Sequence, residues 1–307
     1  MKHLTDDQVE ALELKAYEIR KLCLELIAAA GWGHLGGSFS EVELLTCLYD
    51  CVLRVDPRQT YASNRDLFVL SKAHASPALY ATLAVHGFFP RERVFEYCRL
   101  GGLDGHTQRG QCPGIEFSGG SLGTGLSYAA GMALGLRMRE DYRVRVYCLL
   151  GDGECNEGQI WEAAMFAAQN RLDNLVAVVD YNKVMAKGKL SDLMSVEPLH
   201  RKFLDFGWTT LEIDGHDMRE ICAAFYRARY LEMKGRPVAI IAHTTKGRGI
   251  PECEFDYHWH THAPNAAQAG VFLAALNRYY SRNGHFDRPV VPHADGGIAA
   301  VIEEALS

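Results

Sequence analysis

The 307-residue sequence contains no Cys-x-x-Cys pair, and its nine cysteines form an odd, scattered set. A paired-cysteine zinc site is thereby excluded, and a disulfide framework is disfavoured; reduced thiols in a cytoplasmic interior fit better. Cys47 and Cys51 share a helical face and are expected to serve as small hydrophobic core. Positive charge is not in excess either: 32 Lys and Arg stand against 38 Asp and Glu, a formal net charge of −6, with no basic stripe. This argues against a nucleic-acid partner held through phosphates. Long apolar runs are missing as well. The longest uncharged stretch, Phe117 to Leu136, holds six glycines, whereas a bilayer span needs about 20 predominantly apolar residues. It reads as a loop followed by a helix, and no membrane partner is expected. After Met1-Lys2-His3-Leu4-Thr5-Asp6-Asp7 comes neither an apolar segment nor a small-residue cleavage site, so the N-terminus is not read as a secretory signal and a cytoplasmic location is expected. Internal repeats and low-complexity linkers are also lacking.

What is present is an ordinary globular composition, 48% hydrophobic and 23% charged. At about 150 residues per domain the length would suggest two, but α/β chains often reach this size as one unit. We expect one domain over residues 1–282 and a tail over 283–307, extended from Asn283 to Pro292 and with a short helix from Gly297 to Leu306. Asp6 or Asp7 can cap an opening helix whose apolar set Leu12, Ala16, Ile19, Leu22, Cys23, Leu26 and Ile27 recurs at helical spacing until Gly31. A second helix is expected from Glu41 to about Leu53, and others over Pro77 to His86 and Gln159 to Gln169. Strands are expected over Asp66 to Leu70, Val144 to Leu150, Leu175 to Asp180, Trp208 to Ile213 and Val238 to His243. This alternation predicts an α/β fold, a parallel sheet with helices on both faces, whose ligands bind beyond the carboxyl ends of the strands.

Those ends carry the chemistry. Gly151-Asp152-Gly153 closes one strand and opens a helix, placing a carboxylate beside exposed backbone amides. Alone, such a pair is most often a plain turn. Asn182, however, closes the next strand thirty positions on, and a single helical crossover sets the two side by side. Asp152, the Asn182 side-chain oxygen and a backbone carbonyl just beyond, taken as that of Val184, make three hard oxygen ligands. That suits Mg²⁺, or Ca²⁺ or Mn²⁺ in its place, with positions left for a diphosphate. Lys72 and Lys246 offer matching positive charge, with His34, His74 and His260 as further donors; a lone Lys is more often solvated surface and a lone His more often structural. Trp161, Met165 and Phe166 are expected as core or interface packing; His216, following a strand, could sit near the site but reads more readily as a turn residue. His200, His243, His258 and His262 stay ambiguous.

The segment from Leu150 to Asn182, opening Leu-Gly-Asp-Gly-Glu-Cys-Asn-Glu-Gly-Gln, closely resembles the thiamine-diphosphate motif of transketolases. Gly33-His34-Leu35-Gly36-Gly37-Ser38, Phe68-Val69-Leu70-Ser71-Lys72-Ala73-His74, Gly105-His106 with Gly120-Ser121-Leu122-Gly123, and Thr245-Lys246-Gly247 with Trp259-His260 resemble further family segments in the same order. The resemblance covers roughly residues 10 to 275. It implies the PP-type thiamine-diphosphate fold and the diphosphate-gripping half of a split transketolase. A separate C-terminal subunit would complete the site, in an α₂β₂ assembly. By the same resemblance Asp152, Asn182 and the Val184 carbonyl would bind metal, and Gly153, His74, Lys246 and His260 the diphosphate. Gly120 and Leu122 would meet the aminopyrimidine, and Glu157 would sit at the interface linking two active sites. His34, His74, His106 and His260 would line the channel for a sugar or sugar phosphate and move protons. The sequence departs from the family at Leu35, at Ala73 (usually Gly), at Gly119 (usually Thr), before Gly188 (usually Asp) and at Thr261 (usually Gly). Alternative readings are the α subunit of a 2-oxoacid dehydrogenase, which lacks the histidine series, and a non-catalytic partner-binding relative.

Overall fold

A computed structural model describes residues 4–231 and 235–282. The expected extended tail and final helix within 283–307 lie outside the described residues. The elements in chain order are α1 (Asp6–Ala30), α2 (Leu35–Ser40), α3 (Val42–Cys47), β1 (Leu67–Leu70), α4 (Ser76–Val85), α5 (Thr124–Met138), β2 (Val146–Gly151), α6 (Gly158–Gln169), β3 (Leu175–Tyr181), α7 (Leu190–Leu193), α8 (Leu199–Asp205), β4 (Thr209–Asp214), α9 (Met218–Tyr226), β5 (Val238–His243) and α10 (Ala266–Arg282). All five strands are parallel, in the order β1-β2-β3-β5-β4.

Strand residues alternate between two cores, which is why the strands read as nearly continuous apolar runs. Phe68, Leu70, Tyr147, Leu149, Val176 and Val178 pack with α1, α3, α4 and α9 on one face. Val69, Cys148, Leu150, Ala177 and Val179 pack with α5, α6 and α8 on the other. The expected α/β class, a parallel sheet covered on both sides, is the architecture found. Because every strand runs the same way, Ser71, Asp152, Asn182 and Thr244 all emerge at one edge. Among the described residues no helix is long and apolar enough to cross a membrane.

The local expectations differ from the structure in three places. Thr5, not Asp6 or Asp7, caps α1: its hydroxyl accepts from the Gln8 amide (3.2 Å) and the Gln8 side chain accepts from the Thr5 amide (2.9 Å). This reciprocal pair leaves both aspartates in the first turn, where they meet the positive end of the helix dipole. The helix expected from Glu41 to Leu53 is broken. Helix α2 precedes it, hidden in the sequence by Gly36 and Gly37; Glu41 interrupts with φ −100° and ψ 0°; α3 gives way to a π turn at Leu48–Val52. The break lets the Glu41 carboxylate turn inward, where it is fully buried and paired with Lys72. Helices α7, α8, α9 and α10 add to the expected set; Asp217 caps α9, accepting from the Arg219 and Glu220 amides.

Candidate functional site

Strands β2 and β3 pair with Gly151 opposite Asp180, so the residues just beyond each strand share one crevice. One Asp152 oxygen accepts from the Gly153 amide (2.6 Å) and the other from the amide of Lys183, the residue after Asn182. The Asn182 side-chain oxygen accepts from the Val184 amide (3.1 Å). Asp152, Asn182 and Val184 are all buried. Burial, and then the neighbouring Asp180 carboxylate, push Asp152 up to about 7, against the pull of its two amide donors and Lys246. No ion pair of a described residue involves Asp152, and the Val184 carbonyl accepts from the Lys246 ammonium (2.7 Å). A buried carboxyl bonded only by amides, beside an amide oxygen and a carbonyl that already draws a cationic head, fits a hard cation. Among the described residues no three His, Cys, Asp or Glu side chains converge to hold a metal by themselves. A cation here would therefore depend on the amide oxygen, the carbonyl and the oxygens of its own ligand.

The four histidines converge. Ring centroids lie 5.1 Å apart for His34 and His74, 5.4 Å for His34 and His260, 5.1 Å for His74 and His260, and 5.9 Å for His34 and His106. Burial and then the His106 and Lys246 charges push His34 down to about 4; burial and then Lys246 push His260 down to about 3. Burial also lowers His74 and His106. They are neutral imidazoles, able both to donate and to accept. The Lys246 ammonium lies 3.0 Å from His260 Nδ1 and can only donate, so the His260 proton sits on Nε2. His34 Nδ1 is buried without a partner among the described residues.

Lys72 is the clearest correction. It is not free to meet an anion: its ammonium donates to the Gly37 carbonyl (2.9 Å) and pairs with Asp180 and with Glu41 (2.8 Å), all buried. Asp180, Glu41 and Glu154 are the residues that the motif reading passed over. Burial alone would raise Asp180, but Lys72, Ser40 and Thr244 hold it below the usual carboxylate range. Its oxygen also accepts from the Asn182 amide (3.1 Å), which orients that side chain. Glu154 accepts from Ser71 and from the Gly151 (2.9 Å) and Gly123 (2.8 Å) amides. It thereby ties the ends of β1 and β2 to the start of α5. The available signal was its place directly after Gly151-Asp152-Gly153.

Lys246 keeps its head toward the crevice, and burial pushes it down to about 8. Gly120 lies exposed and Leu122 half-buried ahead of α5. Gly119, next to Gly120, packs on Ala73, next to His74: a Cβ added at Gly119 would lie 2.3 Å from the Ala73 Cβ. Ala73 and Gly119 thus share one volume: the methyl on Ala73 leaves no room for a side chain at 119. Glu157 is the site residue that the structure does not bring into the crevice; it is exposed at the start of α6.

The family model described as "Transketolase, thiamine diphosphate binding domain" matches residues 12–274. The chain is 43% identical over 247 residues to a 6-deoxy-6-sulfo-D-fructose transketolase subunit from Clostridium sp. (strain MSTE9), covering 80% of this chain and 88% of that one. It is 41% identical over 263 residues to an apulose-4-phosphate transketolase subunit from Phocaeicola vulgatus, covering 85% and 92%. A solved transketolase variant from Pichia stipitis superposes with a TM-score of 0.80 at 26% identity, covering 89% of this chain; the chain spans 44% of that one.

Proposed function

The chain belongs to the transketolase family through its thiamine-diphosphate-binding domain, and from that premise we propose that it is the diphosphate-binding subunit of a split transketolase. It would transfer a two-carbon ketol unit from a ketose or ketose phosphate to an aldose or aldose phosphate, together with a separate C-terminal subunit. The observation that carries the reading is the convergence of Asp152, Asn182 and the Val184 carbonyl with Lys246 and four neutral histidines at one sheet edge. Two similar chains, each matched over most of its own length, are named as transketolase subunits, which supports the split arrangement.

Asp152, the Asn182 oxygen and the Val184 carbonyl would hold Mg²⁺, and Lys246, His74, His260 and the Gly153 amide the diphosphate; Gly120 and Leu122 would border the aminopyrimidine. Bound thiamine diphosphate supplies a thiazolium that stabilises the carbanion left when a ketose is cleaved beside its carbonyl. The histidines of this chain hold and move the hydroxyl protons: His260 presents an Nε2 donor, and His34 its Nδ1. Burial by the protein alone keeps both well below neutral. A diphosphate beside Lys246 would raise them toward working pH. Glu157, exposed on α6, would face a second subunit in an α₂β₂ assembly working in the cytoplasm.

Calorimetric titration of thiamine diphosphate with Mg²⁺ tests the site. The wild-type chain should bind, and Asp152→Ala should weaken binding by about a hundredfold or more, because the one charged metal ligand is gone, with the circular dichroism spectrum unchanged. Equal binding by the variant would refute the site. Mixed with its partner, the chain should catalyse ketol transfer and not oxoacid decarboxylation; decarboxylation would favour the dehydrogenase reading.

A further inference from the structure

We propose that His216 is a positioning residue for Lys246, holding the backbone of the Thr245–Lys246 turn through hydrogen bonds anchored on Glu43, which Arg20 of α1 also holds. This rests on the reading of Lys246 as a diphosphate contact. The turn after β4 is clamped to the end of β5. The Gly215 amide donates to the His243 carbonyl (2.9 Å), and a Cβ at Gly215 would lie 2.4 Å from Thr244 Cγ2, so only glycine allows the approach. His216 is delivered between two elements. Its Nε2 lies 2.8 Å from the Thr245 amide nitrogen, and its Nδ1 lies 3.0 Å from Glu43 Oε2.

A backbone amide can only donate, so Nε2 carries the lone pair and the proton sits on Nδ1, which donates to Glu43. The same Glu43 oxygen accepts from Arg20 (2.8 Å), whose guanidinium is fully buried and also donates to the Phe39 carbonyl (2.9 Å) and to the Tyr280 hydroxyl. Burial alone would raise Glu43, but Arg20 and His216 hold it far below the usual carboxylate range. Each link therefore has a fixed direction: the Thr245 amide on the turn before Lys246 donates to His216, His216 and Arg20 on α1 both donate to Glu43 on α3, and Arg20 also donates to Tyr280 on α10.

A groove of about 550 Å³ opens beside His216, Thr244 and Thr245. Water could satisfy the Thr245 amide there, so the imidazole is not required to prevent an unmet buried donor. What it adds is one fixed position for that amide, and hence for the stem of Lys246, whose head reaches the Val184 carbonyl and His260.

The test is a double-mutant cycle on Mg²⁺–thiamine diphosphate affinity, measured by calorimetry on the full chain. His216→Ala should weaken binding about tenfold, the loss of one well-placed hydrogen bond acting on a charged contact, while the melting temperature stays within a few degrees. His216→Gln, whose side-chain oxygen reaches the Nε2 position, should recover most of the affinity. In a Lys246→Met background His216→Ala should add nothing; an undiminished second loss would show that His216 does not act through Lys246. No effect of His216→Ala on affinity would also overturn the proposal. Amide exchange in the ligand-free chain separates this from failure of the cofactor reading. His216→Ala should speed exchange at Thr245 and Lys246 even if thiamine diphosphate does not bind, and unchanged exchange there would overturn the positioning role.

Discussion

Asp66 and Asp152 are both buried carboxylates at strand termini, at opposite ends of the same sheet, and they are treated differently. Asp66 precedes β1 and is saturated: it accepts from the Arg54 and Arg145 amides (2.9 Å each) and from the Arg229 guanidinium (2.9 Å), with the Arg54 side chain 3.7 Å away. Asp152 follows β2 and, among the described residues, has two amides and no ion pair. A saturated carboxylate fastens the fold, whereas one held short of charge keeps its capacity for a ligand.

The contrast can be broken most sharply by deletion. Asp66→Ala leaves the Arg229 guanidinium buried without its charge partner and should cost about 3–5 kcal/mol of stability. Asp152→Ala should cost far less in the ligand-free chain, since it strands only two amides. Urea denaturation of both variants checks this, and equal losses would erase the distinction.

The histidine cluster belongs to the same unsaturated end, and acid should expose it. His34 is held down to about 4 in the folded chain, so the unfolded chain takes up its proton first as the pH drops. The stability that His34 contributes is complete above about pH 6.5 and is lost as pH falls toward 4, on the order of 3 kcal/mol at about 1.4 per unit. His34→Asn should flatten the fall in denaturation midpoint between pH 7 and pH 4.5; an unaltered slope would assign the acid sensitivity elsewhere.

The smallest effect concerns the packing under the site. Gly119→Ala would drive its methyl against Ala73 and should destabilise by about 1–3 kcal/mol, as overpacking does. Adding Ala73→Gly should return most of the loss. A double variant no better than the single one would show that the two positions do not compete for one volume.

The sheet and its chemical edge were legible because both rest on near neighbours in sequence. Apolar runs of strand length and one crossover suffice to bring Asp152 beside Asn182. His34, His74 and His260 could be named as donors from the sequence, but their convergence with His106 was legible only through resemblance, since the four come from separate segments. Lys72 was misread because its partners, Glu41 and Asp180, lie far off in the chain, and nothing local marks a lysine as neutralised inside. Helix α2 was hidden by two glycines that lower its intrinsic propensity, a preference overridden once Leu35 and Phe39 are buried. His216 sits in a sequence that reads as a turn, and its bonds to Glu43 and Thr245 exist only after α3 and β5 have docked.

Glu154 has a mechanical consequence. A single carboxylate holds two backbone amides and the Ser71 hydroxyl, so the segment at Gly123 and the turn at Gly151 are coupled through one side chain. The indole of Trp161 donates to the Cys155 carbonyl (3.0 Å) in that same turn. A shift of either segment would therefore reach a native fluorophore.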